Sequence, residues 1–363
     1  MRSVILTISI SALLVAAIAG CSAVGPASVR MGRGNYNTAI QQTNAEQLLL
    51  NLVRLRYRDV PYFLEVASVS TSFEFNAGAS GGVSLPESAG KAYDLGAEVS
   101  MQENPTVTYT PLQGEQFVTQ LMSPISLETL LLLYHSGWSV ERVFRVSLQS
   151  INDVRNAPSA SGPTPNYVPQ YQRFIKVTNI LRTLQRRNVL SLGHVTATGS
   201  DKPFVAMRVD PKALGSDEFK QLCTLLDLDP GRGTFRLTAE CGAGGKDCLA
   251  VATRSLSSVL FYISQSVIVP ERDESDGKVT VTRDEQGKRF DWHAVTGGLM
   301  RIASCGLPPG NAYVAIRYRG SWFYVDDSDL TSKSTFSLLM QLFALQAGDV
   351  KSSGPVLTLP VSR

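Results

Sequence analysis

Residues 63–75 read FLEVASVSTSFEF and residues 93–102 read YDLGAEVSMQ. In the first, Val69, Thr71, Phe73 and Phe75 alternate with Ser70, Ser72 and Glu74; in the second, Leu95, Ala97, Val99 and Met101 alternate with Gly96, Glu98, Ser100 and Gln102. A period of two is the pattern of a strand with one apolar face. The Gly/Ser-rich segment from Ala77 to Gly90 separates the two runs, so together they predict a β-hairpin. Each alternating run is about nine or ten residues long, the length of a tilted strand that crosses a bilayer. Val69, Phe73, Phe75, Leu95, Val99 and Met101 are therefore candidate membrane-facing positions. One hairpin cannot close a barrel, and an open strand edge in lipid leaves backbone groups unsatisfied. A spanning hairpin would need several copies of the chain. The other reading is an ordinary hairpin with one face on a soluble core.

Around this hairpin the periodicity changes. Ile40, Leu48, Leu52 and Leu55 share a helical stripe over residues 38–57, which Pro61 limits. Helices are also expected over 113–135, 170–188, 211–226, 254–267 and 330–345. Strands are expected over 140–151, 189–197, 203–209, 234–238, 312–318, 322–326 and 356–361, and an exposed, charge-rich hairpin over 271–289. Helices mixed irregularly with mostly antiparallel strands give the α+β class. Residues 156–169 (NAPSASGPTPNYVP) hold four prolines with Ser and Gly. They read as a surface loop or linker between two subdomains, 36–155 and 170–363.

The chain has 363 residues, 34 Lys+Arg against 31 Asp+Glu and a formal net charge of +3. That balance is too near neutral for a broad basic field, so no nucleic-acid partner is expected. Residues 1–20 begin Met-Arg-Ser and continue into the apolar run from Val4 to Ile18. They read as a secretory signal peptide, too short for a secure spanning helix.

The last residues of that run, Ile18-Ala19-Gly20-Cys21, resemble the lipobox of bacterial lipoproteins. The resemblance implies cleavage before Cys21, diacylglycerol on its sulfur and acylation of the new amino terminus. It also implies, from Ser22 in place of Asp, an outer-membrane address. Two or more chains such as palmitate hold a protein stably at a bilayer, whereas one holds it marginally. Residues 21–35 would then be the lipidated cysteine and a small-residue tether. Beyond this signal the chain resembles proteobacterial lipoproteins only in general outline.

Four cysteines remain once Cys21 is lipidated: Cys223, Cys241, Cys248 and Cys305. An even remainder in an oxidising compartment suggests disulfides. Cys241 and Cys248 bracket a flexible Gly-Ala-Gly-Gly-Lys-Asp loop and are expected to pair, leaving Cys223 with Cys305. A zinc site is the alternative, unsupported by CxxC spacing or a nearby His pair.

Catalytic motifs are missing from the sequence. It has no Gly-x-Ser-x-Gly elbow, no HExxH, and no Gly-x-x-x-x-Gly-Lys-Ser/Thr phosphate loop. His135, His194 and His293 lie in unrelated segments. Asp326, Asp327 and Asp329 surround Ser328 where a strand meets a helix, a pattern of N-capping more than of Ca²⁺ ligation. Tyr318, Trp322, Phe323 and Tyr324 read as packed strand aromatics before a sugar platform. The basic face of the 170–188 helix reads as a solvated surface before a membrane-binding one. The sequence thus favours a non-enzymatic, lipid-anchored envelope protein with its body in the periplasm. Protein partners or further copies of itself are expected, and no cofactor. An envelope hydrolase or carbohydrate-binding lipoprotein is the alternative, with a cleft near residue 160 and His194 or His293 beside a Ser or carboxylate.

Overall fold

The computed structural model describes residues 34–84, 92–196, 202–242, 245–347 and 357–360, and the side chains of these except at 71–101, 103, 347 and 357–360. The expected signal peptide, Cys21 and most of the expected tether lie outside the described residues. The fold is α+β, as the mixed periodicities predicted. It divides into two compact units.

Of the described residues, the first unit takes those within 34–61 and 121–347. Helix α1 covers 34–56 and buries Leu48, Leu49, Leu52, Val53 and Leu55. The segment expected to be helical over 113–135 is two helices, α2 (Glu115–Met122) and α3 (Leu127–His135), interrupted at Pro124. Residues 140–151, read as one strand, are instead α4 (Val140–Ser147) followed by β3 (Leu148–Ile151). Val140, Val143, Phe144 and Ser147 are buried at helical spacing, and the Ser139 side chain accepts the Arg142 N–H as N-cap. The period of 3.6 and the cap outweigh the weaker alternation.

Strand β4 (Val154–Arg155) precedes α5 (Gln172–Arg186), whose stripe of Phe174, Val177, Leu181 and Leu184 is buried as its spacing predicted. Then come β5 (Leu190–Thr196), β6 (Pro203–Val209), α6 (Asp217–Leu226), β7 (Thr234–Thr238) and β8 (Cys248–Thr253). These strands form one six-stranded sheet in the order β4-β3-β8-β7-β6-β5. Every neighbour is antiparallel except β7 and β8. A parallel pair ordinarily needs a crossover of about a dozen residues or more. Here the chain returns through 239–247, and the Cys241–Cys248 disulfide ties that short loop together.

After β8 follow α7 (Leu256–Ser264), α8 (Glu271–Ser275), α9 (His293–Thr296) and β9 (Ala303–Cys305). The last elements of the unit are β10 (Ala312–Tyr318), β11 (Ser321–Asp326) and α10 (Leu330–Ala347). Strands β10, β11 and β9 make a separate small sheet. The exposed hairpin expected over 271–289 is the helix α8 plus a tight turn closed by an Arg283–Arg289 bridge, and Val279 is buried. Three acidic residues in the first turn of α8 suit the helix dipole.

The division expected at 156–169 does not separate the two units. Asn156, Ala157, Ala160 and Thr164 are buried within the first unit, and a short 3-10 turn runs from Pro158 to Ser161. Arg254 holds this strap. Its guanidinium, fully buried, donates to Ser161 Oγ (3.1 Å), to the carbonyls of Arg145 (3.2 Å), Val146 (3.4 Å) and Leu148 (2.5 Å), and to Asn156 O. Three of those carbonyls stand at the end of α4, where a cation is electrostatically favoured. Composition marks such a segment as a loop; long-range polar bonds decide that it is buried.

The second unit takes residues 62–120 and 349–363. It is built on β1 (Leu64–Ser84) and β2 (Ala92–Pro111), an antiparallel pair, with β12 (Leu357–Pro360) added to β2. Phe63 and Phe117 meet edge to face at 6.2 Å, and Leu112 N–H donates to Phe63 O at 3.0 Å.

Candidate functional site

The hairpin is longer than its sequence runs suggested. Strand β1 has 21 residues and β2 has 20, and pairing continues through Ser84 and Ala92. The Gly/Ser-rich segment from Ala77 onward, expected as a connector, is therefore strand as far as Ser84. Small residues have low strand propensity, yet a continuous ladder pairs the inward-facing backbone groups of the two long strands. The PTVTYTP stretch of residues 105–111 belongs to β2 for the same reason.

The register decides which positions share a face. Phe75 lies opposite Met101, Ala77 opposite Val99, Ala79 opposite Ala97, Gly81 opposite Leu95, and Val83 opposite Tyr93. On the other face Glu74 is opposite Gln102, Asn76 opposite Ser100, Gly78 opposite Glu98, Ser80 opposite Gly96, and Gly82 opposite Asp94. Along ten residues of each strand, 74–83 and 93–102, apolar or small residues thus pair on one face and polar residues or glycine on the other. A one-residue slip would destroy that segregation. Val69, Phe73, Phe75, Leu95, Val99 and Met101 all fall on the apolar face, with Val69 opposite Val107 and Phe73 opposite Glu103. Aromatic positions stand at both ends of this band: Phe73 and Phe75 at one, Tyr93 at the other. Among the described residues β1 has no strand on its outer edge, and β12 covers β2 only from Thr106 to Tyr109.

The Cys241–Cys248 pair is a disulfide with Cα atoms 6.1 Å apart. The expected Cys223–Cys305 bridge is absent, and both are free. Cys223 is enclosed on α6, where burial first and Asp229 second push its thiol up to about 11. Cys305 lies on β9 and donates to Leu307 O at 3.0 Å. Even cysteine counting fails here because the tertiary structure puts the two residues in different sheets or helices, unpaired.

The histidines do not assemble a catalytic group. His135 is exposed with its ring against Tyr134, and His194 faces Glu128 at 3.1 Å, also exposed. His293 lines a pocket of about 520 Å³ in the first unit, together with Arg56, Gln265, Ser266, Phe290, Asp291 and Trp292. Among the described residues no hydrogen bond joins its ring to Ser266 or to a carboxylate. Sequence reading missed this pocket, whose members are separated by more than 200 positions. The acidic cluster is a cap, as expected: Asp329 accepts Ser332 N–H at 2.9 Å and Asp326 accepts Ser328 N–H at 2.8 Å. Lys333 pairs with Asp327 at 2.6 Å. Phe323 is fully buried, while Tyr318 packs on Tyr57, so these aromatics serve the core.

Among the described residues no helix is long and apolar enough to cross a membrane. Compared with known proteins, the chain matches no family model, no curated protein and no solved structure.

Proposed function

We propose that this chain is a non-enzymatic, lipid-anchored protein of the outer membrane, with its body in the periplasm. Its β1–β2 hairpin is one subunit's share of an oligomeric β-barrel. The observation that carries the reading is the register, which sets a face of apolar and small residues against a face of polar residues and glycine over ten residues per strand. A transmembrane strand needs about nine to eleven residues, apolar toward lipid and polar toward the lumen, with aromatic positions at both interfaces. The uncovered strand edges supply the second requirement. In lipid each edge must be paired, and neighbouring copies of the same hairpin provide the partners. The lipid on Cys21 would hold each subunit at the membrane before assembly.

The native mass of the lipidated protein, extracted in mild detergent, tests the reading together with substitutions on each face. Val99→Lys on the apolar face abolishes the ring-sized species, and Ser100→Lys on the polar face leaves it. A monomer in the wild type, or equal behaviour of the two variants, rejects the barrel.

A further inference from the structure

Two buried arginines in the first unit differ in how they are satisfied. Arg254 gives its protons to five oxygen acceptors. Arg56, at the end of α1 and only 5% exposed, bonds through Nη1 alone, to Thr164 Oγ1 at 3.3 Å and Thr280 O at 3.1 Å. Its Nε–H has no acceptor, and among the described residues it makes no ion pair. The carboxylate that most favours its charge is Glu274, which also lines the pocket and is committed to Arg289 at 2.7 Å. Burial lowers the Arg56 guanidinium to about 10, so it stays charged at neutral pH. A desolvated cation without an ion-pair partner is an unfavourable arrangement.

Arg56 lines the same 520 Å³ pocket as Gln265 and Ser266, which are also buried. Gln265 spends its amide N–H on Thr164 Oγ1 and Phe261 O, leaving Oε1 unpartnered, and Ser266 Oγ has no partner either. Three of the seven unpartnered buried side-chain atoms among the described residues therefore belong to one cavity. Buried polar groups are ordinarily satisfied, and a cluster of exceptions around a pocket of ligand size points to a missing partner. Arg301 adds an exposed cation to the lining, while Phe290 and Ile268 supply apolar wall.

We propose that this pocket binds a small organic anion, whose carboxylate or phosphate pairs with Arg56 while its apolar body lies along Phe290 and Ile268. The guanidinium fork matches both oxyanions. A donor group on the same ligand would meet Gln265 Oε1. This activity is independent of the hairpin and would survive its failure.

Titration calorimetry on the lipidated full chain in detergent, with benzoate, phenyl phosphate and the neutral benzyl alcohol, tests it. At least one anion binds about tenfold or more tightly than benzyl alcohol, and added salt weakens it. Binding of benzoate alone identifies a carboxylate ligand; binding of phenyl phosphate alone identifies a phosphate. Arg56→Gln weakens the anion about tenfold or more. Should Arg56→Gln fail to fold, the exposed Arg301→Gln decides, with an affinity loss of about two- to fivefold. Equal binding of benzyl alcohol, no binding of either anion at millimolar concentration, or no effect of the charge variants overturns the proposal.

Discussion

The guanidinium of Arg254 lies 4.0 Å from the centre of the Tyr262 ring. Tyr262 stands two turns into the helix that Arg254 precedes, so a single side chain stacks on α7 and ties the end of α4 to the 156–161 strap. Burial lowers Arg254 to about 10, and the negative face of the ring with five oxygen acceptors offsets the loss of water. Arg254→Met leaves those acceptors unpaired and costs about 3–5 kcal/mol of stability. Arg254→Lys recovers little of it, because three donors on a point charge cannot reach the same fan of carbonyls. Urea unfolding of the two variants checks both statements; a Lys variant close to wild type would contradict the geometry.

Tyr57 Oη donates to Asp273 Oδ2 at 2.6 Å, and Lys278 Nζ donates to Asp273 Oδ1 at 2.7 Å. Burial opposes the charged form of Asp273, but these bonds outweigh it and hold the carboxyl below its ordinary value. Asp59 is likewise held low against burial by Tyr318 and Arg319. A depressed folded-state carboxyl stabilises the protein above the unfolded value near about 4, and that stability is lost as pH falls through the folded value. Stability should therefore decline below about pH 4, and Asp273→Asn should flatten the decline while lowering stability at pH 7. Melting temperatures between pH 3 and 7 measure both effects.

Thiol reactivity separates the cysteines. Denatured, non-reduced protein should yield two free thiols from Cys223 and Cys305, with none from Cys21 where it carries the proposed lipid. Under native conditions Cys305 reacts first, because Cys223 is buried and its thiol is pushed up to about 11. Removing the Cys241–Cys248 bridge as a double Ser variant costs about 2–3 kcal/mol, the closure entropy of its short loop. Thiol titration and thermal unfolding test the two parts separately.

On the hairpin, Ala79 and Ala97 face one another at the centre of the apolar band. Ala97→Lys should cost about 2–4 kcal/mol of insertion free energy at the bilayer midplane, whereas Ser80→Lys on the opposite face should cost little. The polar face carries Glu74, Asp94 and Glu98 and no basic residue. A pore lined by it passes cations in preference to anions. Reversal potentials across planar bilayers in a salt gradient measure that preference, and Glu98→Gln reduces it.

Some local interactions were readable in advance. The Ser139 cap was not, because the alternation after it read as strand where a helix forms. The stripe from Phe174 to Leu184 was, and it buries as a face. The alternation in 63–75 and 93–102 marked an apolar strand face for the same reason: its period is set by the backbone over a few residues. The Asp329 cap and the Cys241–Cys248 loop are equally local.

What sequence alone determined is the α+β alternation of periods, the sidedness of the hairpin and the short-range staples, because partners two to seven residues apart are fixed by chain geometry. Tertiary structure decided how far the hairpin pairs through its glycines and serines, and that Cys223 and Cys305 stay apart. It also decided that the proline-rich 156–169 segment is a strap buried at Asn156, Ala157, Ala160 and Thr164. The bonds that bury that strap join Arg254 to Asn156 across 98 positions and Arg56 to Thr164 across 108. Such contacts form only when the whole unit closes, so no periodicity announces them; the pocket around Arg56 exists for that reason alone.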